Sequence, residues 1–146
     1  MNRKTFLKQG CFACISSSFL LSALESCTAV KYTTGKLTDK GILVSLDDFM
    51  SGDKVLSYII IRNDELQFPI CIYRLDANNY SALFMQCSHQ GAELQVSGDR
   101  LVCPAHGSEF DKQGHAMQAP AAGDLRKFSV AISDNSLFID LRKVHS

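Results

Sequence analysis

Two short segments constrain what this chain can fold into. Cys87-Ser88-His89-Gln90-Gly91 and Cys103-Pro104-Ala105-His106-Gly107-Ser108 each offer one thiol and one imidazole, and in each a glycine follows shortly after the histidine. Neither half can enclose a metal centre alone, so a fold that uses them must bring residue 87 beside residue 103. Ser97-Gly98-Asp99-Arg100, which lies between them, has the composition of a tight hairpin turn and would fold Cys103 back beside Cys87. Gly91 and Gly107 suit the left-handed backbone that a loop wrapped around such a centre requires.

The rest of the chain bounds the context. A length of 146 residues is enough for one domain with a real core. With 46% hydrophobic and 21% charged residues the chain reads as globular. Its net charge is zero, and no basic patch stands out, so no nucleic-acid partner is expected. Six cysteines could suggest a disulfide framework, but their placement argues against one. Cys11, Cys14 and Cys27 lie in or at the end of an N-terminal apolar segment. Cys71, in Pro69-Ile70-Cys71-Ile72, reads as a buried small hydrophobe. Cys11-Phe12-Ala13-Cys14 has the spacing of a redox or zinc motif, but has neither a second ligand pair nor a suitable fold context.

Residues 1–27 read as a bacterial export signal. Arg3, Lys4 and Lys8 form a positive leader, and Gly10 to Leu24 is uncharged and apolar. That stretch is short for a bilayer span, which needs about 20 apolar residues. Leu24-Glu25-Ser26-Cys27 resembles a lipobox, which implies a lipidated Cys27, although Glu25 is atypical there. An uncleaved membrane anchor and no export at all are the alternatives. Asn2 to Lys8 is similar to a twin-arginine signal with Lys4 in place of the second arginine, and that route exports folded cargo. The expected location is the cell envelope, membrane-anchored and facing the periplasm or the exterior.

Residues 28–40 are polar and read as a tether, leaving 41–146 as the domain. From Gly41 onward short apolar runs alternate with turn signals: Ile42–Leu46, Val55–Arg62, Phe68–Leu75, Tyr80–Gln86, Leu101–Val102, Lys127–Ile132 and Leu137–Arg142. Such runs predict antiparallel strands. Ser133-Asp134-Asn135 predicts a turn between the last two, and Leu46–Gly52 at most one helical turn. The predicted fold class is all-β.

Cys87, His89, Cys103 and His106 are the candidate ligands. Two thiolates and two imidazoles split between two loops suit a [2Fe–2S] cluster with unlike ends, both sulfurs on one iron and both histidines on the other. Neutral imidazoles make their iron easier to reduce than one held by thiolates. Ser108 is placed to donate its hydroxyl to a cluster sulfur. A single Zn²⁺ on the same four residues is the other metal reading, although C-x-H is unlike the usual zinc spacing. His115 and His145 have no ligand spacing; they read as a solvated turn residue and a chain-end residue.

Over about residues 41–143 the chain resembles the Rieske [2Fe–2S] family. The resemblance extends past the ligands through His106-Gly107-Ser108-Glu109-Phe110-Asp111, Gly114, Pro120-Ala121, Leu125, Phe128 and Val130. It implies an antiparallel β-sandwich with a small cluster-binding subdomain. Its cluster loops would be near 87–91 and 103–108, with a proline loop near 118–123, including Pro120, covering the cluster. Many respiratory members carry a disulfide between these loops; the corresponding positions here are Ala92 and Ala105, so that bridge is absent. A family tyrosine that donates to a ligand sulfur corresponds to Phe110, which cannot donate.

The function implied is one-electron transfer, with unidentified redox partner proteins and a membrane attachment. The alternative is a small electron-transfer subunit of a larger oxidoreductase, such as a respiratory quinol oxidoreductase, an arsenite-oxidase-like enzyme or a dioxygenase system. No acid–base constellation marks an independent substrate site, so no catalytic residues are named, and chemistry would reside in a partner. With Phe110 silent, the midpoint should fall in the low or middle part of the Rieske range, roughly −150 to +300 mV. A redox titration of the reconstituted protein checks this, and a value near the top of the range would refute it.

Overall fold

The computed structural model describes residues 30–142; the expected signal, with Cys11, Cys14 and Cys27, and His145 lie outside them. The described residues are all-β apart from one 3-10 turn, Leu46–Phe49, capped by the Ser45 hydroxyl accepting from Asp47 N–H. Eight strands form the main sheet: β1 (Tyr32–Thr33), β2 (Lys36–Leu37), β3 (Gly41–Ser45), β6 (Tyr58–Ile61), β7 (Ile70–Arg74), β8 (Tyr80–Phe84), β13 (Lys127–Ser133) and β14 (Ser136–Asp140). Their order is β1-β6-β7-β8-β13-β14-β3-β2. Met50–Ser51 (β4) and Lys54–Val55 (β5) form a small separate hairpin. A second sheet, ordered β12-β11-β10-β9, is inserted between β8 and β13. It consists of β9 (Gln95–Ser97), β10 (Arg100–Val102), β11 (Glu109–Asp111) and β12 (Ala116–Gln118).

The main sheet curls on itself. β1 and β2 stand at opposite ends of the strand order, yet only Thr34 and Gly35 separate them in the chain. Three peptide steps reach roughly 10 Å at most, so the two edges must come close together. The described part of the 28–40 stretch therefore belongs to the sheet, which begins ahead of the expected boundary at 41. Its strands are only two residues long and their side chains mostly exposed, so they carry no apolar signal. β1 runs parallel to β6, the one parallel pairing among the described residues, because it arrives as a crossing strap and not through a hairpin.

β6 and β7 are unbroken apolar runs because both of their faces are covered. Ile59, Ile61, Ile70, Ile72 and Ala82 point into the curled sheet, with Ile42, Val44, Phe49, Phe128, Leu137 and Ile139. Ile60, Cys71, Tyr73, Leu83 and Met85 point the other way, onto a second core with Leu94, Leu101, Phe110 and Leu125. Cys71 is fully buried there, and burial pushes its thiol pKa up, as a small core hydrophobe requires. The predicted turns are present. Gly98, at φ 63°, begins the two-residue β9–β10 turn, and Asp134, at φ 49°, begins the β13–β14 turn.

Gly35 sits at the crossing of the strap. Its φ is 63°, and a Cβ added there would lie 2.4 Å from Ile42 Cγ2. Gly35→Ala should cost about 2 kcal/mol, from left-handed strain plus overpacking against Ile42. The exposed Thr34→Ala should stay within about 0.5 kcal/mol. Denaturant melts of both variants check this, and equal midpoints would refute it.

Candidate metal centre

Both candidate half-sites are loops of one construction. In the first, Gly91 N–H donates to the Cys87 carbonyl (2.9 Å) and Cys87 N–H donates to the Ala92 carbonyl (2.8 Å). In the second, Gly107 N–H donates to the Cys103 carbonyl (2.9 Å) and Cys103 N–H donates to the Ser108 carbonyl (2.8 Å). Each loop thus closes from its glycine back to its cysteine, with Gly91 at φ 74° and Gly107 at φ 79°. A side chain at either glycine would be strained in that region.

The first loop follows β8, and an isolated bridge between Gln86 and Glu93 closes its base. The second joins β10 to β11, whose pairing sets Val102 opposite Glu109. The β9–β10 hairpin brings the loops side by side. The two thiols sit at the bottom, Cys87 3% and Cys103 2% exposed, within the second core and among free, unbridged cysteines. The two imidazoles lie nearer the surface, with ring centroids 5.1 Å apart and planes at 80°. Sulfur below and nitrogen above is the separation that a centre with unlike ends requires.

The local chemistry favours thiolate. Burial pushes the Cys87 pKa up, but bonding from His89 N–H, the Ser108 hydroxyl, Cys103 and Gln90 N–H outweighs it, and the pKa is lowered overall. Ser108 is fully buried; its hydroxyl lacks a hydrogen-bond partner of ordinary geometry, and its influence is on the Cys87 sulfur. His89 Nδ1 is also buried without a partner. A buried imidazole nitrogen on the first loop and a buried hydroxyl on the second, both left unpaired, mark a place for a polar group that fits between the loops. Phe110, fully buried under the second loop, contributes only packing. Ala92 packs against the second core, and Ala105 is exposed.

A third segment covers the loops. Pro120 and Ala121 are half-buried, and Ala121 packs against the second core. Ser88 Oγ donates to the Gly123 carbonyl (2.7 Å), and Gln118 Nε2 donates to the Gly107 carbonyl (3.1 Å). Neither contact was legible beforehand, since each joins a side chain to a backbone carbonyl remote in sequence. His115 is no part of the centre. It bonds Asp111 (3.1 Å) in the β11–β12 turn, where burial raises the Asp111 pKa but the His115 and Gln113 N–H groups and the His115 ring lower it overall.

Comparison with known proteins agrees with this construction. The family description "Rieske [2Fe-2S] domain" matches residues 48–129. The cytochrome b6-f complex iron-sulfur subunit of a Cyanothece species is 27% identical over 108 residues, covering 64% of this chain and 54% of that protein. The subunit of the same name from Synechococcus elongatus is 31% identical over 55 residues, 36% of this chain and 31% of that one. The chain spans about half the length, or less, of these curated relatives. Among solved structures, the Sphingomonas yanoikuyae ferredoxin superposes with TM-score 0.52 at 22% identity, covering 71% of this chain and 100% of that one. The plasma membrane Rieske protein of a cyanobacterial Synechocystis superposes with TM-score 0.50 at 23% identity, covering 57% and 86%. At such identities the superpositions speak for the fold. The chain belongs to the Rieske [2Fe–2S] domain family. It is a Rieske-type electron-transfer domain, and the cofactor of that family is a [2Fe–2S] cluster.

Proposed function

We propose that Cys87 and Cys103 hold one iron of the cluster and His89 and His106 the other. The observation that carries this reading is the layered arrangement of the four side chains, buried thiols beneath paired imidazoles, on two loops of one design. Each iron of such a cluster takes only two protein ligands, its other ligands being sulfides. Among the described residues no group of three or more His, Cys, Asp or Glu is placed to hold one metal ion. The split of buried sulfur from outer imidazole is what favours the binuclear reading over a single zinc, which takes all four donors at one point.

When bound, the cluster supplies one-electron oxidation and reduction. The protein's residues hold it and set its surroundings. Cys87 and Cys103 anchor it in the second core, Ser108 offers its hydroxyl from below, and Gly91 and Gly107 allow the loops to wrap closely. Gly91, Gly107, Ser108, Phe110 and Pro120 are thus supporting positions. The exposed His106 and half-buried His89 place the histidine end nearest a partner. The partner is a redox protein, with this chain as a carrier or as the small subunit of a larger oxidoreductase. The relatives' names fit both roles, one a subunit and one a ferredoxin.

The finer location rests on the sequence. Among the described residues no helix is long and apolar enough to cross a membrane. Residues 1–27 are the signal, and Cys27 is the lipid-anchor site that would hold the domain at the cell-envelope membrane.

Two experiments test this function. Anaerobic reduction of the reconstituted protein should give the EPR signal of a reduced [2Fe–2S] centre, and Cys103→Ser should lose that signal and the visible absorption. A colourless zinc-loaded protein, or a Cys103→Ser variant that keeps its signal, would refute the ligand set. For the tether, Cys27→Ser should move the protein from the detergent phase to the aqueous phase in extracts of expressing cells. Unchanged partitioning would refute lipidation at Cys27.

A further inference from the structure

We infer that Gln118 is a positioning residue for the metal centre, acting through the Gly107 carbonyl; this rests on the ligand assignment proposed above. With alanine at positions 92 and 105, no covalent bridge joins the two loops. Two hydrogen bonds, one for each loop, join the loops to the covering segment instead. One runs from Ser88 in the first loop to Gly123, and the other from Gln118 to Gly107 in the second loop. Gln118 ends β12 and leads directly into Ala119-Pro120, so its bond ties the second loop to the start of the cover.

The bond to Gly107 also has a directional effect. A trans peptide is planar, with its carbonyl and its N–H on opposite sides. The Gly107 carbonyl is held outward, toward the exposed Gln118 side chain, so the Ser108 N–H of the same peptide faces the other way. That other way is inward, because Ser108 is fully buried and its own carbonyl accepts from Cys103 N–H (2.8 Å). Among the described residues no backbone carbonyl accepts from Ser108 N–H. A backbone N–H aimed at a cluster sulfur stabilises the reduced, more negative state. Gln118 fixes that aim because Gly107, at φ 79°, lacks the side-chain constraint that would otherwise restrict the peptide. The alternative is that Gln118 is an ordinary surface residue whose bond adds little to folding and nothing to the centre.

The test uses the full chain, reconstituted, with Gln118→Met and Gln118→Lys. Methionine keeps the length of the side chain without a donor, whereas lysine keeps a donor. Gln118 is exposed, and thermal melts of both apo variants should match wild type. Gln118→Met should bleach about fivefold faster in chelator, and its reduction equilibrium constant should fall threefold to tenfold, tenfold being about 59 mV for one electron. Gln118→Lys should bleach within about twofold of wild type, because its ammonium can still donate to Gly107. A Gln118→Met variant equal to wild type in both readouts, or a lysine variant that bleaches as fast as the methionine one, overturns the inference. Failure of the ligand assignment would show separately, as wild-type protein without a [2Fe–2S] EPR signal.

Discussion

A sheet segment buried on both faces has no solvent to satisfy its backbone, so β6, β7 and β8 must be hydrogen-bonded on both sides and covered twice. The ladders β1-β6-β7-β8-β13 meet the first demand. The second demand organises the rest of the molecule. Curling closes the sheet over one face, with the short strap of β1 and β2 bringing the two edges together. The inserted sheet β9–β12 covers the other face through Leu94, Leu101 and Phe110. The thiols of Cys87 and Cys103 lie in that second core, so the floor of the metal centre is also the packing that fastens the small subdomain to the large one. Stability and site are coupled through Leu83, Met85 and Cys71, which are common to both.

Within the subdomain the two loops repeat one hydrogen-bonding scheme, glycine N–H to cysteine carbonyl. Such loops orient their donors but do not by themselves hold each other in place. In a protein with a bridging disulfide that task is covalent. Here it falls to Ser88, which donates from the first loop to the cover, to Gln118, which donates from the start of the cover to the second loop, and to Ala121, which packs down onto the core. A pair of hydrogen bonds contributes roughly 1 kcal/mol each, against about 3 kcal/mol for a disulfide closing a loop of this order. The cover should therefore open more readily than in bridged relatives, and cluster retention depends more on the packing of Ala121 and Leu125.

How much of this was legible in the sequence follows from the range of each signal. Strands β3, β7, β8, β13 and β14 were visible because their apolar residues are bounded by local turn chemistry such as Asp134-Asn135. The four candidate ligands were visible because their spacing lies within single loops. β1 and β2 were not, because two-residue exposed strands are held by backbone pairing to distant partners, which no side-chain pattern records. β11 and β12 were hidden similarly; the sequence of β12, Ala116-Met117-Gln118, is exposed along its whole length. Phe110 was read as a missing donor, and its fully buried position adds that it is also a central packing residue of the floor.

The two loops and the covering segment carry no formally charged side chain. Residues 86–92, 102–108 and 116–123 include no Asp, Glu, Lys or Arg, in a chain that is 21% charged overall. Of the carboxylates that flank these segments, Glu93 pairs with Arg62 and Glu109 with Arg100, while Asp124 accepts from Ala116 N–H and keeps its charge. A single unpaired charge about 10 Å away, at an effective dielectric of about 20, would shift an electron's energy by roughly 1.7 kcal/mol. Keeping such charges off the loops and the cover leaves the ligand set and the nearby dipoles as the nearest terms that set the electron's energy. Because Phe110 supplies none, those dipoles come from the Ser108 hydroxyl and from N–H groups such as those of His89 and Gln90. Their aim is a matter of loop conformation, so here the electronic properties of the centre and the mechanical state of its loops are set by the same hydrogen bonds.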